Sequence, residues 1–107
     1  MLLNIESRHF KSQKLESLVR SKFRHLEKLY DAVEDTSVVI RKVKDSRNRS
    51  CEIEAKLLVA RKTLFVIEQA ETFAEALDKV INVLKNQLRK LKEEVNEVQR
   101  DVYADMT

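Results

Sequence analysis

No glycine and no proline occur in the 107 residues of this chain, and that double absence limits its fold more than any other feature. Average usage is about 7% glycine and 5% proline. Glycine reaches positive φ without steric cost, so every left-handed turn here must use Asn, Asp or a strained side chain. Phosphate-cradling Walker loops, dinucleotide-binding fingerprints and glycine-flanked nucleophile elbows are excluded, because each needs glycine at fixed places. The missing prolines remove the strongest helix breaker, and a helical stretch is free to run long.

Other features narrow the class. Cys51 is the lone cysteine, which leaves no internal disulfide and suits a reducing compartment. The histidines, His9 and His25, form no recognisable zinc spacing with it. No apolar run approaches the ~20 residues that cross a bilayer. The start, Met1-Leu2-Leu3-Asn4-Ile5-Glu6, meets a charge too early for a signal peptide. The expectation is one soluble, cytoplasmic domain without metal or cofactor. Its core is modest, since a chain this size buries only about 60–70% of its unfolded surface.

Hydrophobic periodicity divides the chain. Leu3 and Ile5 alternate within 2–7 as a short strand. From Ser12, a capping residue, the period changes: Leu15, Leu18, Val19, Phe23, Leu26, Leu29 and Tyr30 form the stripe of an amphipathic helix over 13–31. Residues 31–35 read as a polar turn and the β-branched run 36–44 as a second strand. Residues 45–50 read as a loop, with Asn48 the best candidate for a left-handed residue. Cys51, Ile53, Ala55, Leu57 and Val59 alternate with Glu52, Glu54, Lys56 and Leu58, the pattern of a strand with one buried face. Ala60-Arg61-Lys62 is a tight connection without Asn-Gly chemistry, and 63–70 is a fourth strand. Thr72, with Glu75 three residues on, opens a long helix. Its apolar positions from Leu77 to Val102 are spaced 4,3,4,3, a heptad seam. The fold class is α+β, in the order β-α-β-β-β-α: a four-stranded sheet with two helices packed on one face, the second extended at its C-terminus. The expected division is a domain over 1–95 and an acidic helix extension or tail over 96–107.

The net charge is only +3, but its distribution is uneven. Residues 79–92 hold Lys79, Lys85, Arg89, Lys90 and Lys92 and no acid. Residues 93–107 set Glu93, Glu94, Glu97, Asp101 and Asp105 against Arg100. The first helix carries Lys14, Arg20, Lys22, Arg24 and Lys28 against Glu16 and Glu27. Side-by-side helices would merge these cations into one basic plate, the electrostatic footprint of a polyanion binder. A charged helix face is usually only a solvated face. The missing acids over 79–92 and the second basic helix favour nucleic acid. The aromatic residues, Phe10, Phe23, Phe65, Phe73, Tyr30 and Tyr103, read mostly as core, so phosphate and shape contacts to RNA fit better than base stacking. Lys22 falls inside the apolar stripe of its helix, either snorkelling at an edge or holding a cation between the helices.

No catalytic set stands out: Cys51 reads as a small core residue, and the carboxylates lie on helix surfaces and strand exteriors. The expectation is not an enzyme. Two other readings stay open: a general module for structured RNA, and an interaction protein built on the C-terminal heptads. Val95, Val98 and Val102, or an apolar strip of Leu58, Leu64 and Val66 on the open sheet face, would serve a weak homodimer.

The chain resembles the ribosome hibernation promoting factor and ribosome-associated inhibitor A family (the sigma-54 modulation protein family), in its short form. The resemblance runs from Leu3 to about Lys92. It rests on Leu3-Asn4-Ile5 followed by Arg8-His9, Lys22-Phe23 with Leu26-Glu27-Lys28 and Tyr30-Asp31, the Val38-Val39-Ile40 strand, Phe73-Ala74-Glu75-Ala76-Leu77-Asp78, and Gln87-Leu88 with Lys90 and Lys92. It implies a stress or stationary-phase factor that binds the small ribosomal subunit in the mRNA/tRNA channel. There it would contact ribosomal RNA through basic residues of both helices, inhibit translation and promote hibernation. Lys22, Lys28, Lys90 and Lys92 match family basic positions; Arg24, Lys79, Lys85 and Arg89 complete the candidate RNA-binding set. Three places depart from the family pattern. Ser7 stands where Gly often precedes Arg-His, Asn86 where Arg often precedes Gln-Leu, and Ala60-Arg61 lacks the usual Gly.

Overall fold

A computed structural model describes residues 2–8, 10–30, 32–44 and 49–105, the last twelve of these (94–105) by backbone alone. His9, Asp31, Asp45, Arg47, Asn48 and the side chains of Val95, Val98 and Val102 lie outside the described residues. The elements are β1 (Leu2–Arg8), α1 (Gln13–Leu29), β2 (Val33–Lys42), β3 (Cys51–Val59), β4 (Lys62–Ala70) and α2 (Phe73–Asp105). They form one sheet in the order β1-β2-β3-β4. β1 runs parallel to β2 through the α1 crossover, and the remaining pairs are antiparallel.

Local chemistry sets the element ends. The Ser12 hydroxyl accepts from the Leu15 N–H at 3.2 Å and caps α1. The Thr72 hydroxyl does the same for Glu75 N–H at the start of α2, also at 3.2 Å. β2 begins earlier than its β-branched run suggests. Val33, read above as part of a polar turn, is buried and pairs with Val59, with a register shift before Asp35. Pairing with β3 overrides the local turn propensity of Glu34 and Asp35. β2 also stops at Lys42, short of Lys44.

Both helices pack on one sheet face. Val19, Phe23 and Leu26 of α1 and Leu77, Val80, Leu84 and Leu88 of α2 join Val38, Ile40, Ile53, Ala55, Leu57 and Val66 in a single core. Cys51 is buried as expected, with its thiol on the Glu71 carbonyl. Val66 therefore corrects the expected apolar strip: it is only 5% exposed, and Leu64 packs against the same core. The residues of β4 on the open face are Phe65 and Ile67, which pair with Lys56 and Glu54. Phe65, read as core from its type, is 52% exposed.

The turn between β3 and β4 carries the strain expected without glycine. Ala60 (φ 50°) and Arg61 (φ 66°) both adopt positive φ, the shape of a type I′ turn. Left-handed backbone costs an L-residue about 1–2 kcal/mol. Replacing Ala60-Arg61 by Asn-Gly should therefore raise stability by about 1–2 kcal/mol, read as a higher denaturation midpoint with an unchanged slope. Ser7 sits in the regular β1–β2 ladder opposite Ile40, and its hydroxyl donates to Glu16 at 2.9 Å.

An ionic cluster crosses the open face. The Arg41 Nε–H donates to Glu52, its cross-strand partner, and Arg41 Nη2 reaches Glu54 at 3.4 Å. Gln69 Nε2 donates to the other Glu52 oxygen at 2.8 Å. Burial alone would raise the Glu52 pKa, but the hydrogen bonds from Gln69 and Arg41 and the guanidinium charge outweigh it and hold the carboxyl below its ordinary value. A carboxylate with a depressed folded-state pKa adds stability above its unfolded pKa and loses it as pH falls through the folded one. Stability should drop as pH falls below about 4, from near the ordinary Glu value downward. In Glu52→Gln that part of a denaturation-versus-pH profile should flatten.

Candidate nucleic-acid interface

Periodicity distributes the cations of α2 into two rows. At about 100° per residue, Lys79 and Lys90 fall within about 20° of each other, and Lys85, Arg89 and Lys92 within about 60°. A crest of Asn82, Asn86 and Glu93, all exposed, separates the rows. Lys79, Arg89, Lys90 and Lys92 are exposed and Lys85 is half-buried. Two of the cations have partners within the chain. Lys79 Nζ donates to the Gln69 carbonyl oxygen on β4 at 3.2 Å, and Arg89 Nη2 donates to Asn86 Oδ1 at 3.4 Å. The second contact gives Asn86, the departure from the family pattern, a place: it holds the neighbouring guanidinium.

On α1 the stripe through Phe23 divides the cations in the same way. Arg20, Arg24 and Lys28 lie on one flank, and Lys22 lies on the other beside the exposed Leu18 and Leu29. α1 and α2 touch along the sheet, so the rows of the two helices share one layer. Phe10 and Phe73 stack at 5.1 Å between ring centroids, close to where each helix begins. That ties the two helix starts together and fixes the spacing of the rows.

Glu27 was legible only as an acid on a basic helix, and the structure gives it a different role. It is 6% exposed, receives the Thr36 hydroxyl at 3.4 Å and lies 3.8 Å from Arg24. The carboxylate anchors α1 to β2 and steers Arg24 along the surface. The available signal was spacing: Glu27 follows Phe23 by four residues and so falls on the buried stripe. His25 is exposed, and among the described residues no cluster of His, Cys, Asp and Glu could hold a metal ion. Among the described residues no helix is long and apolar enough to cross a membrane.

Fold and surface together define a β-α-β-β-β-α domain with rows of cations on a layer of two helices, over a sheet whose other face is open. The chain belongs to the sigma 54 modulation protein / S30EA ribosomal protein family, whose profile matches residues 3–96. This is a family of ribosome-associated factors and not an enzyme family. Solved structures agree on the fold. A ribosomal subunit interface protein from Coxiella burnetii is similar with a TM-score of 0.75 and 15% identity, over 87% of this chain and 99% of that one. The N-terminal domain of Thermus thermophilus Protein Y is similar with a TM-score of 0.70 and 17% identity, over 85% and 99%. Among curated proteins none matches the chain in sequence.

Proposed function

We propose that this chain binds the small ribosomal subunit in the mRNA/tRNA channel, blocks translation and holds idle ribosomes in a hibernating state. Residues 1–95 form the ribosome-binding domain on this reading, and 96–107 form an extension outside it. The observation that carries it is the acid-free stretch of α2 from Lys79 to Lys92, whose cations are exposed except for the half-buried Lys85, set beside the basic α1 in a fold of this family. Lys22, Arg24, Lys28, Lys85, Arg89, Lys90 and Lys92 contact phosphates of ribosomal RNA. Lys79 joins them by exchanging its intramolecular carbonyl for a phosphate.

The chemistry suits rigid RNA. Long cationic side chains on helices meet phosphate oxygens, and the spacing of the rows selects a backbone shape without reading bases. No covalent step is involved, and the effect follows from occupancy of the channel. The site of action on this reading is the cytoplasm, where the subunits are. A cell-free translation reaction with purified ribosomes tests it. The protein, added in equimolar amounts before mRNA and initiator tRNA, should stop synthesis. It should have far less effect on ribosomes already holding both ligands. Equal inhibition of empty and loaded ribosomes would contradict occupancy of the channel.

A further inference from the structure

We infer that the outer edge of β4 is a self-association surface, on which a second copy of this chain pairs its own β4 antiparallel about a two-fold axis at Val66. β4 is an edge strand, and no described strand lies beyond it. The two-residue turn sets which of its backbone groups are free. Residues that flank such a turn exchange both ladder bonds, so Val59–Lys62 is a bonded pair. Alternation then turns the N–H and C=O groups of Thr63, Phe65, Ile67 and Gln69 away from β3. The bond from Lys79 Nζ to the Gln69 carbonyl agrees, since it gives a partner from outside the sheet to an oxygen that the alternation turns to the edge.

Side chains commit the occupant to a second copy. Phe65 and Ile67 are 52% and 42% exposed, and both stand on the edge column of the open face. The inner columns of that face carry Asp35, Arg41, Glu52, Glu54 and Lys56, which argues against face-to-face stacking of two sheets. In the register centred on Val66, residues paired across the axis have numbers that sum to 132. Phe65 then meets Ile67 of the second copy, and Ile67 meets its Phe65, an aromatic–β-branched pair made twice. Thr63 meets Gln69, and Arg61 meets Glu71, so each strand end adds an opposite-charge pair. Lys62 and Ala70, the ends of β4, also coincide, and the whole strand is used. Lys79 guards the edge by occupying the Gln69 carbonyl, in the way lysines blunt exposed strands. Pairing competes with it for that carbonyl, which weakens the association.

Sedimentation equilibrium of the full chain up to about 1 mM, where binding is worth only about 4 kcal/mol, is the test. Wild type should pass from monomer to dimer. Phe65→Lys should weaken the dimer about tenfold or more, since it breaks two cross-strand pairs. Arg61→Glu should weaken it several-fold, and Arg61→Glu with Glu71→Arg should restore it, which only this register explains. Circular dichroism on each variant establishes that the fold is intact. Wild type that stays monomeric throughout overturns the proposal. So does a dimer indifferent to Phe65→Lys but lost on removal of 96–107, because that places association in the helix extension.

Discussion

Replacing Lys90 and Lys92 together by Glu should reduce affinity for the small ribosomal subunit by about a hundredfold or more. A hydrogen bond to a charged group is worth about 1.5–3 kcal/mol, and each 1.4 kcal/mol is about tenfold in affinity. Two such contacts are lost, and two acids face the phosphates in their place. The fold should not notice. Both side chains are exposed on α2, and such surface changes usually stay within about 0.5 kcal/mol of stability. The logarithmic salt dependence of binding should also become shallower by about 2, one for each phosphate contact removed. Titration of labelled protein with purified subunits at several salt concentrations reads both effects. Unchanged affinity would remove these lysines from the interface.

Phe23→Ala should destabilise the domain by about 3–5 kcal/mol, the usual cost of removing a buried phenyl ring. Phe23 is 0% exposed and lies in the core between α1 and the sheet. A chain of this length has a total stability of roughly 5–15 kcal/mol, so the loss is a large share of it. At about 4–8 °C per kcal/mol, the melting temperature should fall by more than 10 °C. Phe65→Ala is the matched control. About half of that residue already meets solvent, and its removal should cost the monomer only about 0.7–1.5 kcal/mol. Comparable losses for the two variants in denaturant unfolding would contradict the assignment of core and open face.

Much of this fold is legible in the sequence because each level of the pattern agrees with the next. The stripe through Phe23 and Leu26, the alternation of Cys51 to Val59 and the capping residues Ser12 and Thr72 each have one natural reading. The structure follows it except at Glu52, an expected exterior carboxylate that is buried with Arg41 and Gln69 on its oxygens. β2 is harder, because Val33 joins the sheet only through a partner, Val59, far away in the chain. The orientation of β4 was within reach of a different argument. Alternation alone cannot say which parity faces inward. A two-residue turn at Ala60-Arg61 can: it pairs Val59 with Lys62, then Leu57 with Leu64 and Ala55 with Val66. Leu64 and Val66 must share the face of Leu57 and Ala55, which leaves Phe65 and Ile67 outside.

The candidate site divides in the same way. Its cations are visible as a run without acids, since their count and spacing need no tertiary information. Their partners are not visible. Glu27 under Arg24 and Gln69 beside Lys79 depend on which elements lie together, and a helix wheel holds only one element. The Arg41–Glu52 pair needs the β2–β3 register, which pairs residues that sequence patterning treats separately.

One sucrose-gradient measurement bears most directly on ribosome binding through the helical layer. The protein is mixed with purified small subunits, large subunits, and naked duplex RNA of matched phosphate content, at near-physiological salt. It should travel with the small subunit, leave the large subunit and the duplex largely free, and leave the small subunit as salt is raised. Equal partition onto duplex RNA would make it a general binder of structured RNA, and absence from the small-subunit peak at low salt would contradict the ribosomal reading outright.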